Sequence, residues 1–215
     1  MLQFPQSTQF GRRIPKQKFY EHLDVSAEVK KLFADQVKLI YWQNKLSPEA
    51  MNIAAGELVS EIEVFQIKLT GQELSPKVLQ IMDKQIPYHL LYILERPDGM
   101  MRLWVDYKEA AQSGDNAFLV RQSYSTPWQK PEMLNLSFSA LNMDALYESM
   151  VRQIAGDALT APAEGQTLKE MVAQAQEKEK LQRQIDQLKA KMKKEKQLAR
   201  QMELRREIQR LEGLL

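Results

Sequence analysis

Residues 61–107 read EIEVFQIKLT GQELSPKVLQ IMDKQIPYHL LYILERPDGM MRLWVDY, and this stretch decides the fold class. Glu61 to Leu69 is rich in β-branched and aromatic residues, which suit a pleated, half-buried surface, so it reads as a strand. Gly71 ends it. Ser75 is an N-cap with Pro76 at the first helical position, and Val78, Leu79 and Met82 form the inner face of a short helix ending near Ile86-Pro87. Tyr88 to Leu94 is a second strand, apolar on both faces and therefore expected to be central. Arg96-Pro97-Asp98-Gly99 is a turn, because proline presets one dihedral angle and glycine accepts the unusual one. Met100 to Tyr107 then returns as a strand of the same hairpin.

Upstream, Ser26 is expected to cap a helix running to about Lys45, with Val29, Leu32, Phe33, Val37, Ile40 and Tyr41 at helical spacing. Residues 1–25 carry aromatics interrupted by Pro5 and Pro15 and read as an irregular basic arm. Downstream, Ala117–Tyr124 and Leu134–Phe138 add two strands, and Leu141–Ile154 is a helix closed by Gly156. The order α-β-α-β-β-β-β-α places the chain in the α+β class: a mixed, largely antiparallel sheet with flanking helices. The expected organisation is an arm (1–25), a globular domain (26–157), a small-residue linker (158–166) and a long C-terminal coiled-coil helix (167–215).

That helix owns the basic character of the protein. The net charge is +2, yet residues 168–215 hold 13 basic and 8 acidic residues, a net +5, leaving −3 for the rest. Leu181, Ile185, Leu188 and Met192 follow the 4-3-4 spacing of a heptad seam. The next positions are Glu195 and Ala199, where the seam weakens. Leu204, Ile208, Leu211 and Leu215 resume it in a shifted frame, so a register discontinuity is expected near Lys189–Gln197. A continuous helix of this length would reach ~70 Å. Its leucines need a partner: a second copy, another protein's helix or the body itself. Self-association through Leu181, Ile185, Leu188, Met192, Leu204, Ile208 and Leu211 is the leading expectation. Lys189, Lys191, Lys193, Lys194 and Lys196 form the densest basic run and, with Arg12, Arg13, Lys16 and Lys18 of the arm, are the candidate phosphate contacts. Lys and Glu are routine on a solvated coiled-coil face, and composition alone favours docking over nucleic-acid contact.

There are no cysteines, which excludes structural disulfides, Cys-based zinc sites, Fe–S clusters and thiol catalysis. The N-terminus lacks the apolar run of a signal peptide, and no segment approaches the ~20 apolar residues that cross a bilayer. A cytoplasmic protein is expected. No glycine-rich phosphate loop is present. His22 and His89 are the only histidines, and neither belongs to a recognisable catalytic constellation.

Two acidic patterns resemble a nuclease core of the PD-(D/E)xK type, which holds a divalent metal on carboxylates and positions water with a lysine. Pro97-Asp98 followed by Asp106-Tyr107-Lys108 matches the string literally, but eight strand steps separate the two aspartates by ~26 Å, too far to share a metal. The second pattern combines Glu61 or Glu63 with Gln66-Ile67-Lys68, completed by Asp106 or Glu95 from a neighbouring strand. Pairing of these residues across the sheet is the structural alternative. Cofactors are expected to be none, with Mg²⁺ entering only under this nuclease alternative.

Several blocks together carry a resemblance: Arg13-Ile-Pro-Lys-Gln-Lys-Phe-Tyr20, Ile40-Tyr-Trp-Gln-Asn-Lys45, Asn52-Ile-Ala-Ala-Gly56, Glu61-Ile-Glu-Val-Phe65, Ile86-Pro-Tyr88, Tyr107-Lys-Glu-Ala110 and Leu141-Asn-Met-Asp-Ala145. They resemble a bacterial domain-of-unknown-function family, number four-three-nine-one, over residues 1–156 plus the helical tail. The resemblance transfers no activity and no catalytic residue. It implies a small accessory protein encoded beside DNA methyltransferases and helicases in restriction-like or antiviral loci. The expected function is therefore a non-enzymatic accessory subunit of a DNA-processing or antiviral-defence assembly, docking through its C-terminal helix. The expected partners are a second copy or another protein, such as a helicase or DNA methyltransferase, with nucleic acid and without membrane. The alternatives are the metal-dependent nuclease and a small-ligand sensor.

Overall fold

The computed structural model describes residues 2–20, 26–110, 118–159 and 166–215. They divide into two compact units, Met1–Gly156 and Asp157–Leu215.

The first unit is built on a six-stranded sheet in sequential order. Its centre follows residues 61–107 as read above. Strand β3 (Ile62–Leu69) and strand β4 (His89–Glu95) lie side by side and parallel, joined by the crossover helix α3 (Pro76–Gln85). Strand β5 (Met101–Ala110) runs antiparallel to β4 after the Arg96–Gly99 turn, where Gly99 takes φ +82. Strand β6 (Phe118–Ser125) pairs antiparallel with β5, and β2 (Val37–Leu46) antiparallel with β3. All other neighbours being antiparallel, the sheet is mixed and the fold α+β.

One face of the sheet carries Phe65, Ile67 and Leu69 with Leu90, Tyr92 and Leu94. It packs against Phe33 of helix α1 (Ala27–Gln36) and Val78, Leu79 and Met82 of α3. The alternate residues Leu91, Ile93, Leu103 and Val105 are also buried, so the middle of the sheet is covered on both faces. Helix α4 (Met143–Ala155) packs on β5 and β6, started by Asn142, whose Oδ1 accepts the Ala145 N–H at 2.8 Å. In the first turn of α4 the Asp144 carboxylate accepts the N–H groups of Glu57, Leu58 and Val59 at 2.7, 3.1 and 2.8 Å. That close approach requires Gly56, where a Cβ would collide with the same carboxylate. The short helix α2 (Pro48–Met51) precedes this loop.

Four expectations are corrected. The arm is not irregular: Gln9–Ile14 is strand β1, the outer neighbour of β2. The first helix does not run to Lys45 but ends at Gln36, and residues 37–46 are β2. Val37, Ile40 and Tyr41 suit a helix by spacing, but this β-branched and aromatic run gains two strand partners when extended. The turn from helix to strand is fixed by Lys16, whose Nζ donates to the carbonyls of Phe33, Ala34 and Val37 at 3.3, 3.0 and 2.8 Å. Leu134–Phe138 is not a strand. Its backbone at Ser137 is satisfied by the Gln153 side chain, which accepts the N–H at 2.8 Å and donates to the C=O at 3.1 Å.

Finally, the tail is two helices, α5 (Leu168–Lys194) and α6 (Leu198–Glu212). Thr167 and Glu170 form a reciprocal capping box at the start of α5. Glu195 takes an extended conformation, and its Oε1 accepts the N–H groups of Lys196 and Gln197 at 2.8 and 2.9 Å. The chain then reverses. Lys189 reaches Glu212 at 2.7 Å, whereas a continuous helix would separate them by ~35 Å. The break falls inside the stretch where the heptad register slips. His22, Ala117 and linker residues 160–165 lie outside the described residues. Among those described, no helix is long and apolar enough to cross a membrane.

Candidate functional site

Strand β3 distributes the proposed nuclease residues over two faces. Its pairing with β4 is regular from Ile62 to Lys68, so side chains alternate. Glu63 shares a face with Phe65, and Glu61, two residues earlier, follows the same alternation. Gln66 and Lys68 share the opposite face. The Trp42 indole N–H donates to Glu63 Oε2 at 2.6 Å, and Lys45 pairs with Glu61 at 2.8 Å. On the other side Gln66 bonds Gln43, and donates to Glu95 at 2.6 Å, while Lys68 pairs with Glu95 at 3.1 Å. The glutamates and the lysine of the second nuclease pattern are thus separated by the sheet itself. The cross-strand pairing read as its alternative is what forms.

Asp98 and Asp106 are separated as spacing requires. Asp98 sits in the exposed turn and accepts the Met100 N–H at 3.1 Å. Asp106 is buried, its Oδ1 accepting the Trp104 indole N–H at 2.7 Å.

Around Asp106 the structure assembles a polar cluster that the sequence did not announce. Lys108 Nζ lies 2.5 Å from Asp83 Oδ1, and both side chains are wholly buried. Lys108 also donates to the Tyr88 carbonyl at 3.0 Å, and the Tyr92 hydroxyl donates to Asp83 Oδ2 at 3.1 Å. Burial and the neighbouring Asp106 carboxyl hold Asp83 well above the usual carboxylate range, against the pull of Lys108. Lys108 supplies the positive charge that faces Asp83 in this buried cluster. Asp83 gave only a faint signal, four residues after Leu79 on the inner face of α3.

Two further groups are perturbed. Burial pushes the Glu63 carboxyl up to about 7, opposed by the Trp42 hydrogen bond. Burial and the Lys108 charge push His89 down to about 4, leaving a neutral ring packed 4.3 Å from Tyr147 and 4.8 Å from Phe118. Among the described residues no group of three or more His, Asp or Glu side chains is placed to hold a metal ion.

The candidate phosphate contacts separate as well. Arg12, Arg13 and Lys18 are exposed, and the Arg12 guanidinium lies 4.6 Å from the Phe10 ring centre. Lys16 is withdrawn from the set because its ammonium is committed to the carbonyls of Phe33 and Ala34 in α1 and of Val37 at the start of β2. In the tail, Lys189 is tied to Glu212, while Lys191, Lys193, Lys194 and Lys196 are exposed around the turn between α5 and α6. The seam residues expected to serve self-association meet each other within the hairpin. Ile185, Ile208 and Leu211 form a buried cluster flanked by Leu181, Leu188 and Met192, with Leu204 half-buried nearer the turn.

The fold and these sites define an α+β domain carrying a basic helical hairpin. The chain belongs to the family described as Domain of unknown function (DUF4391), whose model matches residues 2–215. No curated protein and no solved structure matches it.

Proposed function

We propose that this protein is a non-enzymatic accessory subunit of a bacterial DNA-processing or antiviral-defence assembly. It docks through its C-terminal hairpin and holds DNA phosphates at the hairpin tip. One observation carries the reading: Lys191, Lys193, Lys194 and Lys196 are exposed at a tight reversal and have no salt-bridge partner among the described residues. Three of the four close α5 and the fourth lies in the turn, so the hairpin presents this contiguous basic run at its tip. The hairpin also satisfies much of its own apolar seam, which shifts the balance from self-association toward an external, charged contact. A helicase or DNA methyltransferase is the protein partner this reading implies.

The test is fluorescence anisotropy of a labelled duplex with the full chain. Replacing the four lysines with glutamine is expected to weaken binding at least tenfold at ~0.1 M salt. It should also flatten the log–log salt slope by about 3.6, the value for four phosphate contacts. Unchanged affinity and slope would overturn the proposal.

A further inference from the structure

Trp128, Arg96 and Arg102 meet on the folded domain with hydrogen-bonding capacity left over. Arg96 follows β4, and Arg102 is the second residue of β5, opposite Leu94. After β6 the chain returns along the start of β5. The Leu103 N–H donates to Thr126 Oγ1 at 3.0 Å, and Met101 and Gln129 exchange backbone hydrogen bonds of 2.8 and 2.9 Å. This brings the Trp128 ring against two guanidiniums, with the Cζ atoms of Arg96 and Arg102 at 4.0 and 4.6 Å from its centre.

The two arginines are not equivalent. Arg96 donates to the Gln72 carbonyl at 2.7 Å and to Glu73 Oε1 at 2.7 Å, so its charge is partnered. Among the described residues Arg102 has neither a salt bridge nor a hydrogen bond, and its Nε is sealed from solvent without an acceptor there. The Trp128 indole N–H is sealed and unpaired in the same way. The other two tryptophans are not: Trp42 donates to Glu63 at 2.6 Å and Trp104 to Asp106 at 2.7 Å. Buried donors are almost always satisfied, so two orphans beside a pair of guanidiniums that share the single Glu73 carboxylate point to a missing acceptor. Burial, and to a lesser extent the Arg96 charge, work against the charged form of Arg102, while the Glu73 charge favours it; the net effect is downward.

We propose that Arg102 and Trp128 bind a phosphate-class oxyanion, free phosphate or a phosphodiester, with Arg96 supplying the second positive charge. A tetrahedral oxyanion presents oxygens in several directions and can serve donors arriving from two different segments. A planar carboxylate serves one guanidinium fork. Glu73, paired with Arg96 at 2.7 Å, has a side chain 72% exposed, and an anion would compete with it for the two guanidiniums.

The experiment follows the three indole N–H resonances of the ¹⁵N-Trp-labelled full chain, with Trp128 assigned by Trp128→Phe. Inorganic phosphate and a short oligothymidylate are titrated separately at constant ionic strength. The Trp128 resonance is expected to move and saturate with at least one of them, while those of Trp42 and Trp104 stay. Response to phosphate alone identifies a free-phosphate site, and response to the oligothymidylate identifies a phosphodiester site. Arg102→Gln should raise the half-saturation point about tenfold or more, the other two resonances reporting that the fold is intact. The variant lacking the four tip lysines should keep the response, which separates this site from the hairpin tip. A Trp128 resonance unmoved by both probes, moved equally by acetate, or saturating at an unchanged concentration in Arg102→Gln overturns the proposal.

Discussion

At Glu63 a carboxyl group only 1% exposed accepts one indole N–H at one oxygen, while its other oxygen has no hydrogen-bond partner. Its folded value is pushed up to about 7 from 4.5, chiefly by burial. A group the folded state holds protonated adds stability below its unfolded value, and that contribution disappears as pH rises through the folded value. The stability of the protein relative to Glu63→Gln should therefore fall between pH 4.5 and about 7. Urea denaturation of both proteins across that window measures it, and a difference that ignores pH would show that Glu63 does not titrate there. None of this was legible from Glu61-Ile-Glu-Val-Phe65 alone. The residue type is visible in sequence, but the tryptophan that bonds it comes from another strand. The same holds for Lys108, which spacing links to Asp106 and only packing links to Asp83.

At the scale of elements, the crossover unit and its hairpin were legible because their signals are local. A β-branched run, a capped helix with proline at its first position, an apolar strand and a proline–glycine turn each act within a few residues. The failures share a cause. Val37–Leu46 suits helix and strand alike, and pairing with β1 and β3 decides the matter. Leu134–Phe138 has strand composition, and a glutamine side chain on α4 takes the place of a neighbouring strand. In the tail, heptad spacing correctly located the break but could not say which way the chain turns after it. Because α6 alone has 15 residues, its helicity depends on packing against α5. Ile185→Asp, which places a charge in the buried seam, should cost ~3 kcal/mol and release α6. Amide exchange across Leu198–Glu212 would then rise toward unprotected rates, and retained protection would show that the seam is not what holds α6.

For the whole molecule, the units Met1–Gly156 and Asp157–Leu215 divide the work proposed here: scaffold and oxyanion site in the first, docking tip in the second. The first unit holds its own core, running from α1 and α3 through the sheet. Residues 1–156 are accordingly expected to unfold as one cooperative thermal transition by circular dichroism while losing the duplex binding that depends on the hairpin tip. An unfolded fragment, or one that binds DNA like the full chain, would contradict that division.

The sequence by itself determined the α+β class, the central β-α-β-β order, the basic tail and the place where its register breaks, since each depends on residues close in the chain. Only the tertiary structure decided that Lys16 caps a helix instead of meeting phosphate. It also decided that the sheet separates Glu63 from Lys68, that Asp83 completes a buried ion cluster, and that Arg102 and Trp128 are left with unspent donors. Each of these depends on a partner brought from a distant segment, and a hydrogen bond or a desolvated charge exists only once both partners are in place.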